Sequence, residues 1–76
     1  MADLLEYLVR QLVDRPDAVR VEVVDGEDAV VYRLHVAPDD VGKVVGRQGR
    51  IARALRTVVR AGGGPGDRRV ALEIVD

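Results

Sequence analysis

Apolar residues near the amino terminus recur every three or four positions, which is the spacing of one face of an α-helix. The members of this set are Leu5, Leu8, Val9 and Leu12. Asp3 lies just ahead of them and is predicted to cap the helix, because its carboxylate can accept the first free backbone N–H groups. We expect the helix to end near Asp14, since the next residue precedes Pro16 and is disfavoured in helical geometry.

Further along, three segments alternate apolar and polar residues, as strands with one buried face do. The apolar positions are Val19, Val21 and Val23 in the first segment, Val30, Tyr32, Leu34 and Val36 in the second, and Val70, Leu72 and Ile74 in the third. Residues 25–28, Asp-Gly-Glu-Asp, favour a turn between the first two segments, which predicts a β-hairpin. The third segment predicts a last strand.

Two helices are predicted between the second and third strands. Pro38 begins the shorter helix and Gly46 ends it, while the longer helix begins at Gly49. Their apolar faces consist of Val41, Val44 and Val45 in the first helix and of Ile51, Leu55, Val58 and Val59 in the second. The glycine-rich residues 62–66 predict a flexible connection to the last strand. The predicted order of elements is therefore α-β-β-α-α-β.

The composition is that of a single globular domain that covers residues 1–76. Hydrophobic residues make up 47% of the chain and charged residues 33%, which argues against disorder. There is no cysteine, so disulfides and thiolate metal sites are excluded. No apolar run approaches the roughly 18 residues of a membrane span, and acidic residues interrupt the amino terminus where a signal peptide would be apolar. We therefore expect a cytoplasmic protein with no membrane association.

Positive charge is concentrated in residues 41–60, which contain six basic residues and no acidic one. These six are Lys43, Arg47, Arg50, Arg53, Arg56 and Arg60. The rest of the chain holds the other six cations and all 13 acidic residues, a net charge of −7. An acidic protein that gathers half of its cations in one segment is typical of a site for phosphate groups.

The segment Gly46-Arg47-Gln48-Gly49 is predicted to join the two helices as an exposed loop. Glycine at both ends permits positive φ and lets another backbone pass close by. The second helix directs its first N–H groups and its positive dipole end toward the loop, while Lys43, Arg47 and Arg50 surround the same place. Because the charge continues through Arg53, the pattern favours a nucleic-acid strand over a mononucleotide. An ordinary helix–loop–helix turn with a solvated basic face is the alternative.

The decapeptide Val41–Arg50, Val-Gly-Lys-Val-Val-Gly-Arg-Gln-Gly-Arg, resembles the signature of the KH (K-homology) RNA-binding domain. The order of elements matches the prokaryotic, type II version, and the chain is similar over its whole length to small stand-alone bacterial KH proteins. This resemblance implies one α+β domain with a three-stranded mixed sheet and helices packed on one face. Ala52 stands where the family usually has isoleucine, and we expect the neighbouring Ile51 to supply the bulk.

The resemblance also implies a function, because in this family the loop clamps about four nucleotides of single-stranded RNA and the bases lie in a shallow groove. The strand at residues 70–75 would form the other wall of that groove. The implied RNA-binding residues are Gly46, Arg47, Gln48, Gly49, Lys43, Arg50 and Arg53. An RNA chaperone or post-transcriptional regulator of modest sequence specificity is implied, and so is pairing as a homodimer or as a heterodimer with a larger KH-type RNA-binding protein.

Catalysis, cofactors and metals are not predicted. His35 is the sole histidine and has no cysteine to join it in a metal site. Gly42-Lys43 does not complete a P-loop, and the dinucleotide-binding glycine motif is absent. Asp39 and Asp40 are adjacent acidic residues at a helix start, so we interpret them as caps. Two alternatives stay open: a protein-interaction module, and single-stranded DNA as the ligand, because phosphates do not distinguish the sugars.

Overall fold

The computed structural model describes residues 1–62 and 69–75. Its helices and strands, in chain order, are α1 (Ala2–Arg10), β1 (Arg20–Asp25), β2 (Ala29–His35), α2 (Val41–Val45), α3 (Arg50–Gly62) and β3 (Arg69–Val75). Short 3-10 turns precede β1, α2 and α3. The predicted order α-β-β-α-α-β is confirmed, whereas the predicted flexible connection lies, apart from Gly62, outside the described residues.

The three strands form one mixed sheet in the order β1-β2-β3. β1 and β2 are antiparallel, with Val23 opposite Tyr32, as the hairpin prediction requires. β2 and β3 are parallel, with Tyr32 beside Leu72. Parallel neighbours need a crossover connection, and here α2 and α3 provide it. The loop between those helices is therefore carried by the connection from the central strand to an edge strand.

The hydrophobic core lies between one face of the sheet and all three helices. Alternate residues of β2 are buried on that face, as the sequence pattern predicts. The buried core residues are Leu5 and Val9 of α1, Val19, Val30, Tyr32, Leu34 and Val36 of the hairpin region, Val44 of α2, Leu55 and Val59 of α3, and Leu72 of β3. Because α2 and α3 each contribute to this core, the loop between them is held by packing on both sides.

Three predictions about the amino-terminal half need correction. The first helix ends at Arg10 and not near Asp14, and Met1 is its cap, so Asp3 lies in the first turn instead. The helix stops early because the backbone N–H groups of Asp14 and Arg15 donate to the side chain of Asp40.

The first strand was also expected to bury one face. Val19 is buried just before the strand, but Val23 is 46% exposed. β1 is an edge strand, and the helices cover only its beginning.

Candidate nucleic-acid interface

The loop between α2 and α3 has a backbone that only particular residues can adopt. Gly46 has φ 75° and ψ 174°, in a region that essentially only glycine enters. Gln48 at φ 58° and Gly49 at φ 71° are also left-handed, which costs a non-glycine residue about 1–2 kcal/mol. The result is a single tight turn, Arg47–Gly49, with the side chains of Arg47 and Gln48 exposed to solvent.

Gly46 is required for a second reason, which is its contact with Ile51. A Cβ atom at Gly46 would lie 2.7 Å from Cγ1 of Ile51, closer than real Cβ contacts occur. Ile51 is half-buried against the core, and Ala52 is itself buried. The structure thus agrees with the expectation that Ile51 supplies the bulk at the start of α3. By contrast, Gly49 has open space where a side chain would begin, so only its positive φ favours glycine there.

The exposed arginines of the site surround the amino-terminal end of α3. Arg47 lies in the turn, Arg50 is the first residue of α3, and Arg53 follows one turn later; all three are exposed. A guanidinium at the positive end of a helix is unfavourable unless an anion is bound nearby. Arg50 is oriented toward the loop, since its Nη2 donates to Oε1 of Gln48 at 3.5 Å. This arrangement suits a negatively charged ligand over the loop.

The loop uses some of its own backbone donors. The N–H of Gly49 donates to the carbonyl of Gly46 at 3.2 Å, and the N–H of Arg50 donates to the carbonyl of Arg47. The prediction that the first N–H groups of α3 are free to bind an anion therefore holds only in part, because some of the nearby N–H groups already donate within the loop. An anion at this place would instead meet the exposed side chains of Arg47, Gln48 and Arg50.

Lys43, which the sequence places beside the loop, is engaged elsewhere. Its Nζ lies 2.5 Å from Oδ2 of Asp14 and 3.6 Å from Oδ1 of Asp40. Contact with the Asp14 carboxylate raises the pKa of Lys43, despite an opposing effect of desolvation. The charge of Lys43 is therefore compensated within the protein, whereas no carboxylate of the described residues lies within 4 Å of Arg47 or Arg50.

Asp40 is the residue whose role the sequence did not reveal. The residue is 1% exposed, and its side chain forms no cap hydrogen bond. Instead, its carboxylate accepts two backbone hydrogen bonds. The N–H of Asp14 donates to Oδ1 at 3.2 Å, and the N–H of Arg15 donates to Oδ2 at 3.0 Å. Burial would raise the pKa of Asp40, but these two donors and Lys43 outweigh it and lower the pKa. Asp40 thus ties the segment after α1 to the start of α2, about 25 positions further along the chain, a contact that no local pattern indicates.

Asp40→Asn is expected to lower stability at neutral pH more than at low pH. A carboxyl group whose pKa is lowered by folding stabilises the protein above its ordinary value of 3.8, and this contribution is lost as the pH falls toward the lowered folded pKa. The Asn variant lacks that pH-dependent contribution, so its urea midpoint should differ from that of the wild type at pH 7, and the difference should shrink as the pH falls below 3.8. The neighbouring Asp39→Asn, at an exposed position, is the matched control. Equal effects of the two substitutions would contradict this role of Asp40.

An apolar groove of about 450 Å³ lies between α1 and α3. Its lining residues are Leu8, Gln11 and Leu12 from the α1 side and Arg50, Ile51, Ala54, Leu55 and Val58 from α3. Arg50 belongs both to this groove and to the loop region. Next to the groove, α1 also exposes Leu4 (47%) and Tyr7 (60%). No local sequence pattern indicates that α3 contributes to such a groove.

Residues 1–62 and 69–75 contain neither a candidate metal site nor a helix that could cross a membrane. Within this part of the chain, no cluster of three or more histidine, cysteine or acidic residues could hold a metal ion. No helix there has the length and hydrophobicity needed to cross a membrane.

An α-β-β-α-α-β domain with a Gly-x-x-Gly loop between its two central helices has the architecture of a type II KH domain. The chain matches the family described as "KhpA/KhpB, KH domain" over residues 2–74, and it belongs to that family. The predicted resemblance is thus confirmed.

Curated relatives of similar length share about half of their residues with this chain. "RNA-binding protein KhpA" of Clostridium acetobutylicum is 49% identical over 99% of this chain and 100% of the relative. The proteins of the same name from Borreliella burgdorferi and Aquifex aeolicus are 47% and 49% identical, covering 97% and 100% of this chain and 90% and 96% of their own lengths. No solved structure gives a significant match.

Proposed function

We propose that this protein binds single-stranded RNA by clamping a short run of phosphates over the Gly46–Gly49 loop. The observation that carries the proposal is the loop itself: a glycine-dependent turn at the positive end of α3, with exposed arginines around it. In the described residues, neither Arg47 nor Arg50 lies within 4 Å of a carboxylate. The names of the relatives, RNA-binding protein KhpA, support RNA as the ligand over single-stranded DNA.

Within this proposal, the residues have different roles. Gly46 and Gly49 give the loop its shape, and Arg47, Gln48 and Arg50 contact the phosphates. Arg53 extends the contact along α3. Lys43, which the sequence also predicted as a contact, is better suited to hold α2 against Asp14 and Asp40.

The sheet edge beside the loop offers few groups that could recognise particular bases. Tyr7 and Tyr32 are the only aromatic residues; Tyr32 is in the core and Tyr7 is on α1. We therefore infer modest sequence specificity, since stacking on aromatic side chains is a main route to base recognition in single strands. A cytoplasmic RNA chaperone or post-transcriptional regulator, acting by binding and not by catalysis, fits this character.

The binding of short single-stranded RNA should weaken steeply as salt concentration rises. Phosphate contacts release counterions, with a slope of about −0.7 per contact for a single strand. Three to five contacts predict a log–log slope of about −2 to −3.5. Fluorescence anisotropy with a labelled RNA between low and moderate salt measures the slope, and single-stranded DNA of the same sequence tests the other ligand. A flat salt response would contradict phosphate binding, and tighter binding of the DNA would contradict the preference for RNA.

We also propose that the protein pairs, either with a second copy or with a larger KH-type partner. A groove for about four nucleotides binds weakly by itself, and two linked grooves bind more tightly without any new contact. The α1–α3 groove and the exposed Leu4 and Tyr7 beside it supply an apolar surface for such a contact. The protein-interaction alternative is in this way part of the RNA-binding proposal, since pairing would serve to bring two loops onto one RNA.

A further inference from the structure

α3 carries a row of arginines that continues beyond the loop. At 3.6 residues per turn, Arg53, Arg56 and Arg60 fall within about 60° of one another on the helix surface. All three are exposed. The opposite flank of α3 turns Ile51, Ala54 and Val58 toward the groove with α1. The row, which we call the arginine flank, therefore faces away from α1 and from the apolar groove.

Within the described residues, the arginine flank makes none of the ion pairs that several other cations make. Arg10 pairs with Glu6, Arg33 with Glu22 and Glu73, and Lys43 with Asp14 and Asp40. In the described part of the chain, no carboxylate lies within 4 Å of the flank's guanidinium groups, although the protein carries 13 acidic residues in all.

The spacing of the flank is itself unfavourable in the free protein. Arg53 and Arg56 are three positions apart, and Arg56 and Arg60 are four. Side chains at these spacings are neighbours on the helix surface, so their like charges repel one another. A bound polyanion would remove this repulsion and replace it with attraction.

We propose that the arginine flank is a second phosphate site, which binds the same RNA strand beyond the nucleotides held by the loop. The proposal rests on the proposed function, because it places the strand across the loop first. Arg53 and Arg60 are separated along the helix axis by about 10 Å, at a rise of 1.5 Å per residue. At the 3.4 Å spacing of a stacked strand, this length runs beside about three phosphates. The footprint of one protein molecule is then longer than the loop alone would give.

The test compares oligouridylates of four and eight nucleotides. Its variant is Arg56→Gln with Arg60→Gln, which leaves the loop and Arg53 unchanged. Arg15→Gln with Arg20→Gln is the matched control, because it removes the same charge from exposed positions away from α3. Binding of the tetramer is measured by NMR titration and binding of the octamer by fluorescence anisotropy at several salt concentrations. Circular dichroism verifies that both variants are folded.

We expect the flank variant to bind the tetramer as the wild type does and to lose affinity for the octamer. Its log–log salt slope with the octamer should be shallower than that of the wild type by about 1.4, which corresponds to two lost contacts. The control should keep the wild-type slope. Wild-type octamer binding by the flank variant would overturn the proposal, and it is also the result expected if longer RNA binds better only because two protein molecules pair on it. An equal loss in the control would overturn it as well, since the effect would then be one of net charge.

A different result would contradict the proposed function. If the tetramer binds equally well when Arg47 and Gln48 are replaced by aspartate, the loop is not the site, whatever the flank variant does.

Discussion

Replacing Arg47 and Gln48 together by aspartate is expected to abolish binding of short single-stranded RNA and to leave the fold intact. The pair of substitutions removes one positive charge and adds two negative charges where the phosphates are proposed to lie. Both side chains are exposed and neither belongs to the core. Gln48 adopts a left-handed backbone, which aspartate tolerates better than most residues. Folding should therefore be affected little while the electrostatic attraction is reversed.

The matched control for this variant is Arg20→Asp with Arg15→Gln, which changes the net charge by the same amount at exposed positions outside the loop and α3. Circular dichroism and fluorescence-anisotropy binding are measured on both proteins. We expect the loop variant to show no binding at concentrations that saturate the wild type, and the control to bind with only a modest loss from long-range electrostatics. Wild-type binding by the loop variant would refute the clamp, and an equal loss in the control would show that net charge alone is responsible.

The second large effect concerns pairing. Two copies on one RNA convert the second contact into an intramolecular one, which can raise the affinity for a long strand by roughly 10²–10⁴. Leu4→Lys with Tyr7→Glu should remove this gain, because it places two charges on the exposed apolar surface of α1 without touching the core. Analytical ultracentrifugation at micromolar concentration, with and without a long RNA, measures the assembly. The affinity of this variant for a four-nucleotide RNA should not change.

The control for the pairing variant is Val23→Lys with Val24→Glu on β1. These residues have the same exposed apolar character, at 46% and 45%, but lie outside α1 and the groove. The control variant should assemble as the wild type does. A wild type that is strictly monomeric in both conditions, yet binds long RNA tightly, would refute pairing. Dissociation caused by the control variant would place the contact on the sheet edge instead.

The parts of the fold that the sequence predicts well are those determined by local patterns. The alternation of Val30, Tyr32 and Leu34 corresponds to the buried face of the central strand, since both neighbours of that strand fix its orientation. Gly46 marks the end of α2 because its backbone conformation excludes other residues. The resemblance to a KH signature then supplied the sheet topology that local patterns could not give.

The features that could not be predicted from the sequence depend on contacts between distant residues. The early end of α1 and the burial of Asp40 both depend on the hydrogen bonds that the backbone of Asp14 and Arg15 donates to the Asp40 carboxylate. Two adjacent aspartates at a helix start look the same whether they cap the helix or reach across the fold. The ion pairs of Lys43 have the same origin. For the exposure of Val23, the missing information was the position of β1 at the sheet edge.

The proposed site for RNA phosphates is the loop between α2 and α3. The most direct measurement is an NMR titration of ¹⁵N-labelled protein with a tetranucleotide of RNA, following every assigned backbone amide. We predict that the largest saturable shifts belong to residues 46–50, with smaller shifts along α3 at Arg53. Shifts concentrated on the charged outer face of the sheet, around Glu22 and Arg33, with unchanged amides at Gly46 and Gly49, would show that RNA binds elsewhere.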